Sequence, residues 1–207
     1  MSVAVITIAA DVSCCHHYAD GMTRWEPDAR GRLAQAAMEL YSERGFEQTT
    51  VAEIAERAGL TERTFFRHFA DKREVLFAGA TALQELVVSA VSGTPEPAAP
   101  IDAAVAGVQA AAALLQEDRE FARQRQAIIV GSAELREREL IKLASLSAAI
   151  AEALRGRGVP EPAASLTAEV AIAVFRIAFE RWVADTGERD FAQLIGDSLD
   201  ELKAVTA

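Results

Sequence analysis

Cysteine is scarce in this sequence: Cys14 and Cys15 are the only two, and they are neighbours in the chain. Adjacent cysteines rarely reach the geometry that a disulfide between them requires. This scarcity excludes a disulfide-stapled secreted scaffold and favours a reducing, cytoplasmic location. The apolar stretch 3–10 has no basic residues before it and is followed by Asp11, so it does not look like a secretory signal.

Catalytic and membrane signals are also missing. The chain contains no G-x-S-x-G, no H-E-x-x-H and no phosphate-binding loop, and Gly156 and Gly158 lack the later glycine and the preceding strand of a dinucleotide motif. No uninterrupted apolar run reaches 18 residues, so no transmembrane helix is expected. These absences exclude the common hydrolase and nucleotide-binding classes, and neither an enzymatic activity nor a cofactor is expected.

Basic residues are outnumbered, and the formal net charge is −10. Affinity for phosphates usually requires a basic surface, so the overall charge disfavours a nucleic-acid binder. The acidic excess is uneven, because residues 27–87 hold 8 Lys/Arg against 10 Asp/Glu whereas residues 88–207 hold 12 against 18. The composition therefore leaves room for a local basic face within residues 27–87.

What the chain does contain is helical periodicity. Hydrophobic residues make up 51% of the sequence, and Ala and Leu are abundant. Between Asp28 and Arg44 the apolar residues recur at the spacing of one helix face, and Gly45 is placed to end that helix. The residues of this face are Leu33, Ala36, Ala37, Leu40 and Tyr41.

Two short helices are predicted next. Thr50 and Glu53 have the spacing of a capping box, which predicts a helix over about 51–58. Gly59 tolerates the left-handed conformation of a tight turn, and Thr61 is placed to cap the following helix. The sequence thus predicts two helices joined by a turn of a few residues.

The residues within this pair have the pattern of a helix-turn-helix. Ala55 is small where two crossing helices come closest, and Gly59 permits the short turn. Ile54, Leu60 and Phe65 are expected to form the shared core. A helix-turn-helix is therefore predicted over about residues 50–69.

The remaining helices are predicted from breaks and caps. Asp71 and Glu74 repeat the capping-box spacing and predict a longer helix that runs to about Val91. The proline-rich segment 93–100 is expected to be a loop. Beyond it, helices are predicted near 101–116, 118–130, 132–155, 163–186 and 189–205. The sequence predicts about nine helices and no strand.

These motifs resemble the DNA-binding domain of the TetR family. Residues 36–77, AAMELYSERGFEQTTVAEIAERAGLTERTFFRHFADKREVLF, contain the family's Gly-Phe, Thr pair, Ile-Ala, Ala-Gly and aromatic-rich stretch in order, and the resemblance covers about 27–87. It implies an all-α fold with an N-terminal three-helix helix-turn-helix domain at 27–87. It also implies a C-terminal helical ligand-binding and dimerisation domain at 88–207, and residues 1–24 are interpreted as a tail.

The resemblance implies a set of DNA contacts around the third helix. Phe65 and Phe69 are four residues apart and are expected to point inward. Arg63 and Thr64 are the candidates for reading bases, because arginine can bond guanine through two hydrogen bonds. The full candidate set for DNA binding is Thr50, Thr61, Glu62, Arg63, Thr64, Phe66, Arg67, His68 and Lys72.

Different members of this set have different expected roles. Thr50 and Lys72 are implied to hold phosphates at helix N-termini, which position the protein without reading sequence. Arg67 and His68 are expected to touch the DNA backbone. Phe66 stands where the family commonly has Tyr, so a phosphate hydrogen bond is missing there and contact with a thymine methyl or a sugar is the alternative.

The C-terminal half is predicted to form a homodimer and to bind a small-molecule ligand. Residues 170–179 are apolar on nearly every side, and the last helix carries a broad apolar stripe from Phe191 to Leu202. The resemblance implies a twofold homodimer through the last two helices, matching a palindromic operator. Arg176 is expected to pair with Glu180. Residues 101–154 suit a pocket for a small apolar or amphipathic ligand, whose binding releases the DNA.

The sequence leaves alternatives open for the function of the helix-turn-helix, for a metal site and for the start of translation. Cys14, Cys15, His16 and His17 invite a metal site, but structural zinc sites separate their ligands by more residues, so no metal is expected. The helix-turn-helix can also serve in a helical protein-interaction module, and a TetR-type regulator can be an activator as well as a repressor. Met22 is a candidate for the true start of translation.

Overall fold

The computed structural model describes residues 28–187 and 189–206, and every regular element in those ranges is helical. They contain nine α-helices and one 3-10 turn, so the predicted all-α architecture is confirmed for this part of the chain. The tail at 1–24, the Cys-Cys-His-His stretch 14–17 and the start at Met22 lie outside the described residues.

The first helix, α1, spans Ala29–Arg44. It begins at Asp28, whose carboxylate accepts a hydrogen bond from the Gly31 amide at 2.8 Å, and it ends at Gly45, where φ is 86°. The five residues of the predicted apolar face are all buried, namely Leu33, Ala36, Ala37, Leu40 and Tyr41. The neighbouring Met38 is buried as well. The 3.6-residue periodicity therefore located both the helix and its buried side.

The helix-turn-helix has the predicted form. Helix α2 spans Val51–Arg57, α3 spans Glu62–His68, and Gly59 in the turn between them has a φ of 67°. Ile54 and Phe65 are fully buried between the helices, whereas Leu60 is only half-buried. The shared core is thus built from α2 and α3, and the turn residue Leu60 covers its edge.

The chain after Asp71 differs from the prediction of one helix running to Val91. The Asp71 carboxylate accepts hydrogen bonds from the Arg73 and Glu74 amides, but the element that follows is a 3-10 turn, Glu74–Phe77. Helix α4 begins only at Ala80 and ends at Gly93. Val75, Leu76 and Phe77 are all buried, and packing three consecutive apolar side chains overrides the local preference for a continuous helix.

The chain divides into two compact units between Gly79 and Ala80. The sequence predicts domains at 27–87 and 88–207, and in the structure α4 packs on α5 and α7 within the C-terminal unit. The N-terminal unit therefore consists of α1, α2, α3 and the 3-10 turn, and the loop at 94–99 lies inside the second unit rather than between the two.

The C-terminal unit is a bundle of six helices, and the predicted segments match them closely. After α4 come α5 (Pro100–Gln116), α6 (Arg119–Gly131), α7 (Ala133–Gly156), α8 (Ala163–Ala184) and α9 (Phe191–Thr206). Gly107 lets α4 and α5 approach closely, because a Cβ there would lie 2.6 Å from Val91 Cγ2. Aromatic rings cluster where the end of α8 meets the start of α9, and there Trp182 stacks on Phe191 with 4.8 Å between the ring centroids.

Two arginines of α6 hold the end of α8. The guanidinium of Arg119 donates to the carbonyls of Trp182 and Asp185, and Arg123 Nε donates to the Val183 carbonyl at 3.0 Å. The last carbonyls of a helix have no partners within it, so these arginines satisfy groups that would otherwise face solvent. They fix α6 against α8 and the loop that leads to α9.

One described segment, Glu74–Gly93, is long and apolar enough by composition to cross a membrane, although the sequence analysis expected none. The segment is not one regular α-helix, because the 3-10 turn and α4 are separate elements. Val87 and Val91 of α4 are fully buried in the core of the C-terminal unit. Packing thus uses part of the segment's hydrophobicity, since less than a third of it is buried.

Candidate nucleic-acid interface

Helix α3 has a buried face and a solvent-facing one. Phe65 and Phe69 are buried with their ring centroids 5.6 Å apart, which anchors the helix in the N-terminal unit. On the opposite side Phe66 is 56% exposed, and Glu62, Arg63 and Arg67 are exposed as well. This face presents one aromatic ring and two arginines, side chains that can contact the bases and phosphates of DNA, so it is a candidate for contact with nucleic acid.

The first turn of α3 is fixed by two threonines. Thr61 is the N-cap and accepts a hydrogen bond from the Thr64 amide at 3.2 Å, and the two hydroxyl oxygens are 3.1 Å apart. Thr61 is exposed and Thr64 half-buried. A hydroxyl has one donor and two acceptor positions, so the Thr64 hydroxyl can keep its bond to Thr61 and still bond a base edge.

The end of α3 brings two arginines close to a histidine. Arg67 Nη2 lies 3.4 Å from His68 Nε2, and the guanidinium of Arg30 lies over the Phe69 ring at 5.1 Å. Partial burial lowers the pKa of His68, and the positive charges of Arg67 and Arg30 lower it further. At neutral pH His68 is thus a neutral hydrogen-bonding group, and the positive charge here comes from the arginines.

Thr50 forms the predicted capping box at the start of α2. Its hydroxyl accepts from the Glu53 amide at 3.2 Å, and the Glu53 carboxylate accepts from the Thr50 amide at 2.9 Å. These bonds from Thr50, with the nearby Arg44 guanidinium at 2.9 Å, lower the pKa of Glu53. Thr50 is exposed, but its amide and its hydroxyl both donate to the Glu53 carboxylate at 2.9 Å, so a phosphate contact by Thr50 requires it to give up one of these bonds.

Lys72 lies close to the start of α2, as the family resemblance implied. Its ammonium, however, donates to main-chain carbonyls of the loop between α1 and α2, namely Phe46 at 2.9 Å, Thr49 at 3.0 Å and Glu47 at 3.4 Å. It also lies 4.3 Å from the centroid of the Phe46 ring. The structure therefore joins Thr50 and Lys72 in one region but turns the Lys72 charge toward the protein.

The arginines of this unit differ in whether nearby carboxylates neutralise their positive charge. Arg57 at the end of α2 binds Glu39 at 3.2 Å and Glu43 at 3.0 Å, which raises the Arg57 pKa. Arg63 on α3, by contrast, makes no hydrogen bond or ion pair with any of the residues that the structure describes. The exposed side of α3 thus carries two arginines outside any ion pair with the described residues, beside one acidic residue, Glu62.

Tertiary contacts that leave no local sequence pattern support this surface. Arg32 of α1 donates to the carbonyl of Ala58, the last acceptor of α2, and so stabilises the turn of the helix-turn-helix. The Tyr41 hydroxyl donates to the Lys72 carbonyl at 2.6 Å. These bonds join residues 26 and 31 positions apart, and no local spacing signals such a contact.

Known proteins share both parts of this chain. The family of bacterial regulatory proteins named tetR matches residues 33–78, and the MftR C-terminal domain matches residues 98–207, more than half of the sequence. The chain therefore belongs to the TetR family of bacterial regulatory proteins. This confirms the resemblance drawn from residues 36–77, and the family consists of regulators rather than enzymes.

Individual relatives cover different shares of the chain. The transcriptional regulator TcmR of Streptomyces glaucescens is 40% identical over 74 residues, which is 36% of this chain and 33% of TcmR. The activator FasR of Mycolicibacterium smegmatis is 38% identical over 66 residues, 32% of this chain and 29% of FasR. These matches thus span about a third of the curated relatives' own length.

A solved structure matches along most of the chain. It is the repressor FadR of Thermus thermophilus in complex with lauroyl-CoA, 25% identical, with a TM-score of 0.54. The match covers 83% of this chain and 91% of FadR. The fold predicted from the sequence, an N-terminal helix-turn-helix followed by a helical C-terminal domain, is therefore confirmed.

Proposed function

We propose that this protein is a transcriptional repressor that binds a palindromic operator as a dimer and releases it when a small molecule binds. The observation that carries the proposal is α3, which buries Phe65 and Phe69 and presents Arg63, Phe66 and Arg67 to solvent. A helix anchored in this way can lie in the major groove of DNA. Such a regulator acts in the cytoplasm, where the DNA is.

The exposed residues of α3 divide between reading and positioning. Arg63 and Thr64 read base edges, with Arg63 able to bond guanine through two hydrogen bonds. Arg67, His68 and Thr50 contact the phosphate backbone, which sets the register of the protein on DNA. Phe66 has no hydroxyl and contacts a thymine methyl or a sugar. Thr61 and Glu62 lie at the start of α3, at the edge of the same surface.

The test of this function is a selection from fragmented genomic DNA with the purified protein, followed by sequencing of the bound fragments. We expect enriched fragments that share an inverted repeat, with half-site centres about 34–36 Å apart or a multiple of this distance. The matched control is Arg63→Ala, which should lose the enrichment while keeping its fold. Wild-type enrichment that is no better than the control, with no shared sequence, would favour a protein-interaction module instead.

The proposal includes a homodimer whose interface is formed by α8 and α9. The exposed apolar residues of α8 lie at the centre of this interface. Leu166 and Ile177 are 63% and 48% exposed, and they lie with the exposed Ala173 on one face of α8. The apolar stripe of α9 is used inside the unit, because Phe191, Leu194, Ile195 and Leu199 are buried. Helix α9 therefore flanks the interface with its other residues.

The charges beside this apolar face fit a second copy in antiparallel orientation. The expected ion pair between Arg176 and Glu180 does not form, and neither residue has an ion-pair or hydrogen-bond partner among the described residues. Glu169 and Arg176 lie on either side of Ala173 along the same edge of α8, and the Glu169 carboxylate already accepts a hydrogen bond from the Ser147 hydroxyl at 2.6 Å. A twofold axis near Ala173 would place each Glu169 opposite the partner's Arg176, and the small Ala173 would let the helices approach closely.

Charge reversal tests this arrangement. We expect Arg176→Glu alone and Glu169→Lys alone each to raise the dimer dissociation constant by about tenfold, because each creates two like-charge contacts across the axis. The double variant restores both pairs and should return the constant close to the wild-type value. Sedimentation velocity at low salt measures these constants, and the differences should shrink at high salt. Single variants that dimerise like wild type would rule out the pairing.

The ligand of this regulator is proposed to be amphipathic and to bind within the C-terminal unit. The core there is built largely from Ala, Val, Leu and aromatic side chains, so a pocket that opens within it would have an apolar lining. FadR, which matches 83% of this chain, was solved with lauroyl-CoA, a molecule with an apolar tail and a polar head. Ligand binding would shift the dimer to a spacing of its α3 helices that no longer fits one turn of DNA. FasR is a transcriptional activator, so activation of transcription is the alternative to repression.

A further inference from the structure

Buried polar side-chain atoms without a hydrogen-bond partner occur on two helices that pack together, α6 and α8. Among the residues that the structure describes, these atoms are Arg119 Nε, Gln126 Oε1, Trp182 Nε1 and Asp185 Oδ2. The first two belong to α6, Trp182 belongs to α8, and Asp185 is the C-cap of α8. Burial of a polar atom without a partner costs free energy, so such atoms are rare in folded proteins. Their concentration here points to a binding role.

Three of these atoms lie around one side chain, that of Arg119, and we name Arg119, Trp182 and Asp185 the polar corner. The Arg119 guanidinium carbon lies 5.4 Å from the centroid of the Trp182 ring, and Arg119 Nη2 lies 3.6 Å from Asp185 Oδ2. The two Nη atoms of Arg119 donate to main-chain carbonyls, those of Gly187, Trp182 and Asp185. The protein thus uses both Nη atoms, and the buried Nε is the donor that remains.

The three atoms of the polar corner differ in what they can bond. The Trp182 indole is fully buried, and its Nε1 can only donate, as can Arg119 Nε. Asp185 Oδ1 accepts from Arg189 at 3.1 Å, whereas Oδ2 accepts no hydrogen bond from the described residues. The bond from Arg189 lowers the pKa of Asp185, and the charge of Arg119 also lowers it, so the carboxylate stays ionised and can only accept. The polar corner therefore offers two donors and one acceptor.

Aromatic rings lie beside the polar corner. The Phe191 centroid is 4.8 Å and the Phe179 centroid 5.9 Å from that of Trp182. Phe191 is buried and Phe179 half-buried. An apolar molecule that packs against these rings would bring one of its ends to Trp182. The surroundings thus suit a molecule with an apolar body and one polar group.

A hydroxyl group matches the polar corner best. Its oxygen can accept two hydrogen bonds, from Trp182 Nε1 and Arg119 Nε, and its hydrogen can be donated to Asp185 Oδ2. A carboxylate has no hydrogen to donate and is repelled by Asp185, whereas an ammonium group cannot accept from the two donors. An ether oxygen can accept but leaves Asp185 Oδ2 without a partner.

We propose that the polar corner binds the hydroxyl group of an otherwise apolar molecule, so that the ligand of this regulator is an alcohol rather than a carboxylate or an amine. This rests on the proposed function and deepens it by naming the class of the ligand. Trp182 and Asp185 determine the specificity, because they contact the hydroxyl from its acceptor side and its donor side.

The experiment compares two isomers as probes, n-octanol and heptyl methyl ether, which have equal size but differ in the hydroxyl hydrogen. Isothermal titration calorimetry measures their affinities. We expect n-octanol to bind about tenfold more tightly, because the ether leaves a buried carboxylate oxygen unpaired. Nuclear magnetic resonance of the Trp25→Phe protein, in which Trp182 is the only tryptophan, reports the place of binding. The indole N–H signal should move when n-octanol is added.

Asp185→Asn tests the acceptor. Arg189 can only donate, so it should keep the Asn oxygen and leave the amide N–H groups facing the polar corner. We expect the preference for n-octanol over the ether to disappear in this variant. The matched control is Asp200→Asn on α9, where the side chain is 80% exposed, and it should keep the wild-type preference.

Three results would overturn the inference. They are an indole signal that neither probe moves, equal affinities of the two probes for wild type, and a wild-type preference that survives in Asp185→Asn. Equal weakening of both probes in Asp185→Asn would show a structural role for Asp185 and would also count against it. The genomic selection tests the proposed function separately, because it uses the protein without any probe. A failed selection beside a shifted indole signal would refute DNA binding but leave the hydroxyl site.

Discussion

Phe65→Ala is expected to unfold the N-terminal unit in a large fraction of molecules. Phe65 is fully buried and packs against Phe69, so its removal leaves a cavity between α2 and α3. Such a change costs about 3–5 kcal/mol. Small domains are stable by only about 5–15 kcal/mol, and this unit has a small core. DNA binding should fall with the folded fraction, because Phe65 is one of the two buried rings that anchor α3.

Hydrogen exchange followed by mass spectrometry measures this effect unit by unit. Amides of α1, α2 and α3 should exchange much faster in Phe65→Ala, while those of α5 and α8 should keep their wild-type protection. The matched control is the neighbouring Phe66→Ala, whose ring is 56% exposed and whose loss should change stability by less than about 0.5 kcal/mol. Equal protection in the two variants would show that Phe65 is not the anchor of α3.

Trp182→Ala is expected to destabilise the C-terminal unit by about 3–5 kcal/mol. The indole is fully buried, stacks on Phe191 with an angle of 9° between the rings, and lies 5.9 Å from the Phe179 centroid. The Arg119 guanidinium covers it at 5.4 Å. Its removal opens the contact at which α6, α8 and α9 meet, so these helices should lose protection together.

Chemical denaturation followed by circular dichroism measures the loss. The midpoint of the transition of the C-terminal unit should move to lower denaturant, with α1 to α3 keeping their exchange protection. Leu140→Ala is the control on α7, because Leu140 is 57% exposed and its truncation opens no cavity. A Trp182→Ala protein with the same midpoint as this control would mean that the aromatic cluster adds nothing to the fold.

Local chemistry predicted most of the fold. The capping box of Thr50 and Glu53, the glycine at 59 and the apolar face of α1 all lie within a few residues of one another in the sequence, and each appeared in the structure as expected. The 3-10 turn at Glu74–Phe77 did not follow from local signals. Its cause is the burial of three consecutive side chains against the rest of the unit, which is a tertiary effect.

The candidate site was predictable in position but only partly in role. Spacing on α3 separated the buried Phe65 and Phe69 from the exposed Arg63 and Arg67, because helical periodicity decides which side chains share a face. It could not show that the Lys72 ammonium turns toward carbonyls 23–26 residues earlier in the chain. Likewise, the stripe of α9 looked like an interface from its pattern, whereas the structure buries it within the unit.

The central claim, that α3 reads a DNA sequence, is tested most directly by the affinity of Arg63→Ala for a fragment recovered from the genomic selection. Fluorescence anisotropy at two salt concentrations compares wild type, Arg63→Ala and Arg136→Ala, in which an exposed arginine of α7 is removed instead. We predict that Arg63→Ala binds roughly 5- to 150-fold more weakly, the equivalent of about 1–3 kcal/mol, while Arg136→Ala binds like wild type. If Arg63→Ala keeps the wild-type preference for this fragment over a shuffled one, the claim is contradicted.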